Sequence, residues 1–239
     1  AAQLHPALFY RPKNRRKAHR MKTVLFIAGI DTDVGKTVAT GLYARELAEA
    51  GCNVITQKLV QTGCSGLADD ILSHRRLQGI EPTAFDADGT TAPYVFPYPC
   101  SPHMAAAQQG VSIEPERIRR ATDTLLQHYD TVLLEGAGGL LVPLSEHYTL
   151  LDYVAEQGYP VALVTCGKLG SINHTLLSLE ALAARGLTLH RVIYNRHPLY
   201  DPQINTESER YLRQYVATHF PQTEWRTLDA VTIPNDRPA

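Results

Sequence analysis

Short apolar runs alternate along the chain with stretches whose apolar residues recur at helical spacing. Five runs are apolar at most positions and predict strands buried on both faces, at residues 24–28, 53–60, 131–134, 161–166 and 191–194. Helical spacing of apolar residues predicts helices at 36–50, 114–128, 172–185 and 205–219. This alternation predicts an α/β, doubly wound fold with a mainly parallel sheet flanked by helices.

The length and composition predict one large domain over residues 21–239. A chain of 239 residues can bury a sizeable core without disulfides or a structural metal. The four cysteines are scattered and form no CxxC pair, so we interpret them as reduced thiols. We interpret the proline-rich stretch PYVFPYPCSP, at 93–102, as a surface loop.

The charge balance narrows the range of partners. The net charge is −1, which lacks the strong basic excess of a general nucleic-acid surface. No apolar run approaches the roughly 20 residues that are needed to cross a bilayer. We therefore expect a cytoplasmic protein with neither nucleic acid nor a membrane as its partner.

The first twenty residues differ from the rest, because they contain six Lys or Arg and no acid. Such a composition is typical of a transit peptide or a nucleic-acid-binding arm. The alternative is a basic leader, disordered or derived from expression or upstream translated sequence, with Met21 as the natural start. We favour the leader.

The strongest motif is GIDTDVGKT at 29–37, which directly follows the first predicted strand. It satisfies G-x-x-x-x-G-K-[ST] with a strand before it and a helix after it, which is the context of a P-loop. Backbone N–H groups at the helix start would bind phosphate oxygens. Lys36 would reach the β- and γ-phosphates, and the Thr37 hydroxyl would bind Mg²⁺. The motif predicts a P-loop NTPase-like fold.

Several charged residues have two interpretations. Glu135 ends the run TVLLE and begins the glycine-rich turn EGAGG, where a metal-ordering acid would lie, but it could be a solvated loop acid. Asp70 in LADDILSH could bind the metal or cap a helix. Lys58 could contact a second substrate or the transferred phosphoryl group, or extend to the surface. Asp31 and Asp33 are either ordinary caps or the mark of a P-loop subgroup. The histidines, including His103 and His174, lack metal-ligand spacing and are expected to be structural or surface groups.

Five segments in this order resemble the dethiobiotin synthetase family: GIDTDVGKT, KLVQTG, SPHMAA, EGAGGLLVPL and GKLGSINH. The likeness extends from about Met21 to Asn195. It implies a homodimer that uses ATP, CO₂ or bicarbonate, and 7,8-diaminononanoate, with Mg²⁺ as cofactor. One amine would take up CO₂ as a carbamate, and the carbamate would attack the γ-phosphorus to form a carbamic-phosphoric anhydride. The second amine would then close the ring of dethiobiotin, with release of ADP and phosphate.

The resemblance also assigns roles to residues of this chain. Catalytic roles are implied for Lys58, Lys36 and Thr32, and metal binding for Thr37, Asp70 and Glu135. Nucleotide contacts are implied for Asp33, Val34, Gly35, Lys36, Thr37, Val38, Asp70, Glu135, Gly136, Ala137, Gly138, Asn195, Arg196, Pro234, Asn235 and Asp236, with Asn195 at the adenine. Diamine contacts are implied for Thr62, Ser101, Gly170, Ser171, Ile172 and Asn173, the last four reaching across the dimer interface.

The chain departs from the family pattern in places. Ile30 replaces the usual Thr after the first loop glycine, and Leu59 replaces the proline that follows the catalytic lysine. The likeness fades after Asn195, so the adenine-side segment is less defined. Two alternatives stay open: an amidoligase of the cobyrinic-acid type and a partitioning-type ATPase switch. The amidoligase would need a glutamine-hydrolysing domain with a cysteine nucleophile, and the switch a basic surface or an amphipathic tail.

Overall fold

The computed structural model describes residues 22–199 and 201–229. The predicted basic leader at 1–20, Met21 and the predicted adenine-side residues Pro234, Asn235 and Asp236 lie outside the described residues.

The strands and helices are as follows. The strands are β1 (Thr23–Gly29), β2 (Val54–Lys58), β3 (Gln61–Thr62), β4 (Val95–Phe96), β5 (Thr131–Gly139), β6 (Pro143–Ser145), β7 (Tyr148–Thr149), β8 (Val161–Cys166), β9 (Leu189–Asn195) and β10 (Glu224–Leu228). The helices are α1 (Lys36–Glu49), α2 (Asp69–Gln78), α3 (Ala84–Ala87), α4 (Pro102–Gln108), α5 (Pro115–His128), α6 (Leu150–Gln157), α7 (Ser171–Ala184) and α8 (Pro202–His219).

The main sheet has six strands in the order β10-β9-β8-β1-β5-β2. Every neighbouring pair in it is parallel. The predicted α/β fold with a mainly parallel sheet is therefore confirmed. Strand β1 lies in the middle, so the loop that follows it emerges at the centre of the sheet's carboxyl edge, where open α/β sheets bind ligands.

All five predicted strands and all four predicted helices are present, with ends shifted by a few residues. Strand β2 stops at Lys58, two residues before its predicted end, and β5 continues to Gly139. The sixth strand, β10, was not predicted. It lies at the sheet edge with only partly buried or exposed side chains, so it lacks the apolar run that identified the other strands.

The interpretation of 93–102 as a surface loop is wrong for its first half. Pro93, Tyr94 and Phe96 are buried, and β4 pairs in parallel with β3. The exposed part is limited to residues 97–99. Aromatic side chains of this size favour burial, and their burial fixes the segment that precedes Ser101.

The core fills the space between the main sheet and its helices. Every residue of β8 is buried, and so are three residues of β5, namely Val132, Leu133 and Leu134. Burial of one such aliphatic side chain contributes roughly 1.5–3 kcal/mol. These strands therefore form a rigid base for the loops at their carboxyl ends. No helix within the described residues is long and apolar enough to cross a membrane.

Candidate active site

The loop between β1 and α1 is shaped as an anion site. Gly35 caps α1 in the left-handed region with φ 93°, and Asp33 is also left-handed with φ 58°. No side chain caps the first turn of α1, and that turn contains no acid. The N–H groups and positive dipole end of α1 therefore remain available to phosphate oxygens.

Lys36 is folded back over this loop. Its side chain is almost fully buried, and Nζ donates to the carbonyl oxygen of Asp31 at 2.7 Å. Burial and the nearby Lys58 ammonium lower the Lys36 pKa to about 8. An anion bound in the loop would offset both effects, because it stabilises the charged ammonium.

A glycine is required at position 35 for a second reason, in addition to its left-handed φ. The Asn195 side chain, at the end of β9, donates from Nδ2 to the Val34 carbonyl oxygen at 3.0 Å. A Cβ on Gly35 would lie 2.3 Å from that Nδ2 atom. The Asn195 amide oxygen also accepts from the His197 N–H at 3.0 Å. Asn195 thus holds the phosphate loop from the side of β9, and its contact with adenine stays a prediction.

Four polar side chains from four elements meet beside the loop. Lys58 Nζ lies 2.5 Å from Asp70 Oδ2 and 2.8 Å from Glu135 Oε1. The Thr37 hydroxyl donates to Asp70 Oδ1 at 3.0 Å and lies 3.3 Å from Glu135 Oε1. These contacts form one cluster, in which the oxygens of Thr37, Asp70 and Glu135 converge.

The strand register explains why the cluster forms. Lys58 and Glu135 are direct partners in the parallel pair β2·β5. The Lys58 N–H donates to the Thr91 carbonyl oxygen at 2.7 Å, which fixes the end of β2. Asp70 lies in the first turn of α2, where an acid also interacts favourably with the helix dipole.

The electrostatics of the cluster keep its members charged. Burial alone would raise the Glu135 pKa, but the Lys58 ammonium and His74 outweigh it and hold that pKa far below its usual range. Burial alone would lower the Lys58 pKa, but Glu135 and Asp70 raise it. A buried ammonium and a buried carboxylate therefore stabilise each other, as buried charges must.

The geometry decides between the two interpretations of these residues. Lys58 is 5% exposed and Glu135 is 0% exposed, so the surface-lysine and solvated-acid alternatives are wrong. Asp70 is both a first-turn acid of α2 and a partner of Lys58 and Thr37. The two interpretations of Asp70 are thus compatible.

Sequence reasoning missed a second polar layer behind the cluster. His74 lies 2.8 Å from Glu135 Oε2 and 3.0 Å from the Thr56 hydroxyl, and Arg75 donates to that hydroxyl at 2.9 Å. All three side chains are buried. The sequence contains a signal for this layer, because His74 follows Asp70 by four residues and therefore lies on the same helix face.

A cleft of about 770 Å³ surrounds the cluster. Many of the residues expected to bind nucleotide or diamine line it, namely Thr32, Asp33, Gly35, Lys36, Thr37, Val38, Lys58, Thr62, Asp70, Ser101, Glu135, Ala137 and Gly138. Val34 and Gly136 lie behind its walls, Val34 in the core and Gly136 against the Phe26 ring.

The expected diamine-binding segment 170–173 does not line this cleft. Ser171 is buried, with its hydroxyl 3.4 Å from Cys166 Sγ, whereas Gly170 and Asn173 are exposed. Arg196 is also outside the cleft and forms ion pairs with Glu209 and Asp229.

Comparisons with known proteins identify the family of the chain. The family model described as AAA domain matches residues 23–222. The ATP-dependent dethiobiotin synthetase BioD 2 of Pasteurella multocida is 53% identical over 213 residues, which cover 89% of this chain and 100% of that protein. The ATP-dependent dethiobiotin synthetase BioD of Chlorobaculum tepidum is 48% identical over 217 residues, covering 89% of this chain and 91% of that protein.

Solved structures support the fold alone. The pNOB8 ParA protein bound to nonspecific DNA matches with a TM-score of 0.54 and 14% identity, covering 92% of this chain and 89% of that chain. Chloroplast FtsY from Physcomitrella patens matches with a TM-score of 0.51 and 16% identity, covering 89% of this chain and 60% of that chain. The fold is that of P-loop NTPases, and the close relatives over almost the whole chain are dethiobiotin synthetases. The chain therefore belongs to the dethiobiotin synthetase family.

Proposed function

We propose that the protein is an ATP-dependent dethiobiotin synthetase that converts 7,8-diaminononanoate, CO₂ and ATP to dethiobiotin, ADP and phosphate. The observation that carries the proposal is the buried Lys58, held by Asp70 and Glu135 at the inner wall of the cleft beside the phosphate loop. A cationic group in that position can contact both a nucleotide in the loop and a second substrate in the same cleft.

The chemistry requires one activation and one ring closure. An amine of the substrate adds CO₂ and loses a proton, which gives a carbamate. A carbamate oxygen attacks the γ-phosphorus, and ADP leaves, so the carbonyl carbon now has phosphate as a leaving group. The second amine attacks that carbon, loses a proton and expels phosphate, which closes the ureido ring. Phosphoryl transfer depends mainly on positioning and charge neutralisation, and Lys36 and Lys58 supply positive charge for both.

Thr37, Asp70 and Glu135 would hold Mg²⁺. The test of fit is their donor set: one hydroxyl and two carboxylates, all oxygen, with the Thr37 hydroxyl within 3.0–3.3 Å of both acids. This donor set suits Mg²⁺, which usually takes one or two carboxylates and completes its shell with water and substrate phosphates. When bound, the ion would neutralise phosphate charge.

The protein would act as a homodimer in the cytoplasm, with the diamine site completed by residues 170–173 of a second copy. Two observations support this part of the proposal. Those residues do not line the cleft of their own chain, and the adjacent Leu169 is 80% exposed. Residues that lie away from the cleft of their own chain are free to reach the cleft of a second copy, and such a contact would bury the exposed Leu169 side chain.

Both alternative functions are less supported. The likeness to a DNA-bound ParA protein is at 14% identity and concerns the fold. The amidoligase would need a cysteine nucleophile. All four cysteines are free thiols, and only Cys100 lines the cleft, whereas Cys52, Cys64 and Cys166 do not. By contrast, the dethiobiotin synthetase of Pasteurella multocida is matched over its full length.

The experiment combines the protein with Mg²⁺, ATP, diaminononanoate and carbon-13 bicarbonate. We expect dethiobiotin that contains the label, detected by mass spectrometry, and ADP formation that depends on the diamine. The matched control is Asp70→Asn, which keeps the size of the side chain but removes a metal-binding charge, and we expect it to lose product formation. ATP turnover without the diamine and without product would overturn the proposal.

A further inference from the structure

A buried hydrogen-bonded chain runs behind Glu135, away from the cleft. Glu135 Oε2 contacts His74 Nε2 at 2.8 Å, and His74 Nδ1 contacts the Thr56 hydroxyl at 3.0 Å. Arg75 continues the chain, donating to the Thr56 hydroxyl at 2.9 Å and to both oxygens of Asp86 at 2.8 and 2.9 Å. His74 and Arg75 are at most 1% exposed. Burial of this many polar groups is costly unless each has a partner.

The hydrogen on His74 follows from its contact with Glu135. A carboxylate can only accept, so His74 Nε2, at 2.8 Å, carries a hydrogen and donates it to Glu135 Oε2. A guanidinium can only donate, so the Thr56 hydroxyl accepts from Arg75, and it also contacts His74 Nδ1. One Glu135 oxygen is thereby occupied, and the other faces Lys58 and Thr37.

The helix that carries His74 also carries Asp70. The two residues are four apart in α2, and their side chains therefore lie on one helix face. Asp70 reaches Lys58 and Thr37, whereas His74 reaches Glu135. A single helix thus sets the positions of both carboxylates relative to each other.

The far end of the chain returns to the cluster. Asp86 accepts from the Thr91 hydroxyl at 2.7 Å, and the Thr91 carbonyl oxygen accepts from the Lys58 N–H at 2.7 Å. The buried chain therefore contacts the Glu135 carboxylate at one end and the Lys58 backbone at the other. Ligand side chains in metal sites commonly depend on such supporting hydrogen bonds for their orientation.

From this geometry we infer that His74 is a positioning residue: it holds Glu135 with Oε2 turned away and Oε1 presented to the metal beside Asp70 and Thr37. The inference rests on the proposed function in one respect, which is the role of Glu135 as a metal ligand. His74 itself touches neither substrate nor metal. Its part is to fix the rotamer and the hydrogen-bonded state of Glu135.

The test compares His74→Asn with His74→Gln. The amide nitrogen of Gln can take the place of His Nε2, whereas Asn ends near the position of Nδ1 and leaves Glu135 Oε2 without its donor. We expect His74→Asn to weaken Mn²⁺ binding by about 10- to 100-fold and His74→Gln to stay within a few-fold of the wild type. Mn²⁺ binding is measured with ADP present by electron paramagnetic resonance. The measurement uses no diamine, so failure of dethiobiotin formation and failure of this inference give different results.

Two controls separate positioning from general damage to α2. Leu77 is buried in the same helix and packs on α1 near Gly41. We expect Leu77→Ala to lower the melting temperature with little change in Mn²⁺ affinity. In a protein that already has Glu135→Gln, His74→Asn should cause no further loss of Mn²⁺ affinity, because its effect acts through Glu135. If His74→Asn does not fold, Thr56→Val takes its place, since it removes the hydroxyl that His74 Nδ1 contacts.

Four results would overturn the inference. One is equal loss of Mn²⁺ affinity in His74→Gln and His74→Asn, and another is an equal loss in Leu77→Ala. The third is an additive loss when His74→Asn is combined with Glu135→Gln. The fourth is unchanged Mn²⁺ affinity in a folded His74→Asn, or in Thr56→Val where that variant is used.

Discussion

Lys58 lies between two carboxylates, 2.5 Å from Asp70 and 2.8 Å from Glu135. The same region contains Lys36, so two ammonium groups and two carboxylates lie close together, and their formal charges cancel. A neutral cluster can be buried at lower cost than an unbalanced one. Lys36 lies over the phosphate loop, where its ammonium would offset part of the negative charge of a bound phosphate.

Replacing Lys58 with Gln tests the proposed role of its charge. Lys58→Gln keeps most of the stem, so we expect nucleotide to bind still, since Lys36 and the loop remain. Dethiobiotin formation should fall by roughly 10²-fold or more, which is the usual scale for losing one preorganised electrostatic contact. Steady-state product formation and nucleotide affinity are measured together. Thermal melting with Mg²⁺ and ADP present verifies that the variant is folded, and activity within a few-fold of the wild type would make Lys58 a bystander.

Only part of the site could be predicted from residues taken singly. Lys36 and Thr37 follow from one continuous motif, because a P-loop fixes their places locally. Lys58, Asp70 and Glu135 lie on three separate elements, and their convergence depends on strand register that no local pattern contains. His74 and Arg75 were missed, because LSHRRLQ has the polar character of an exposed helix face although these two side chains are buried.

At the scale of elements, α6 begins with a capping box that also connects it to α7. The Thr149 hydroxyl accepts from the Asp152 N–H, and Asp152 accepts from the Thr149 N–H at 2.9 Å. Asp152 also forms an ion pair with Arg185 at 2.6 Å, at the end of α7. The hydrogen bonds from Thr149, followed by the contact with Arg185, lower the Asp152 pKa to about 2. The helix start and the link between helices thus depend on one carboxylate.

Asp152→Asn should weaken this junction without affecting the cleft. We expect the free energy of unfolding to fall by about 1 kcal/mol or less at pH 7, because the side chain is partly exposed and a cap contributes about that much. Because the Asp152 pKa is lower in the folded state, its carboxylate stabilises the folded protein at pH values above the ordinary Asp pKa of about 3.9. That contribution is lost as the pH falls towards 2. The difference between wild type and variant should therefore be constant from pH 7 to about pH 4 and shrink below it.

Urea unfolding at several pH values checks this expectation. The matched control is Asp123→Asn, which removes an exposed acid that pairs with Arg119 along α5. Exposed helix pairs contribute little, so its unfolding midpoint should hardly change. A difference for Asp152→Asn that grows as the pH is lowered would contradict the assignment.

The elements themselves were predictable to different degrees. Long apolar runs identified the central strands, because strands buried on both faces must be apolar throughout. Strand β10 pairs with β9 at the edge of the sheet, and its sequence, EWRTL, mixes polar and apolar residues. A local pattern cannot distinguish such a sequence from a loop. The short helices α4 and α6 have only seven and eight residues, so helical periodicity was too brief to detect.

At the scale of the whole molecule, two exposed leucines follow the strands that lie next to β1 in the main sheet. Leu141 follows β5 and is 64% exposed, and Leu169 follows β8 and is 80% exposed. Strands β5 and β8 lie on either side of β1, so both turns emerge at the same carboxyl edge of the sheet. Burial of these two side chains against another protein would remove apolar surface from water, which is favourable. This surface is where the proposed second copy would supply residues 170–173.

If each diamine site is shared between two subunits, two different inactive variants should restore each other. Lys58→Gln removes a group from the cleft, and Asn173→Ala removes an exposed group from the segment assigned to the partner's site. In a mixed dimer, one of the two sites would have Lys58 from one chain and Asn173 from the other. After mixing under conditions that exchange subunits, we expect dethiobiotin formation to rise to about a quarter of the wild-type rate, since half of the dimers of a two-fold assembly are mixed and each contains one intact site. The rate is measured against the molar ratio of the variants, with each variant alone and an unexchanged mixture as controls. Sites built from one chain would give no restoration at any ratio, and a wild-type protein that sediments as a fully active monomer would rule out the shared site directly.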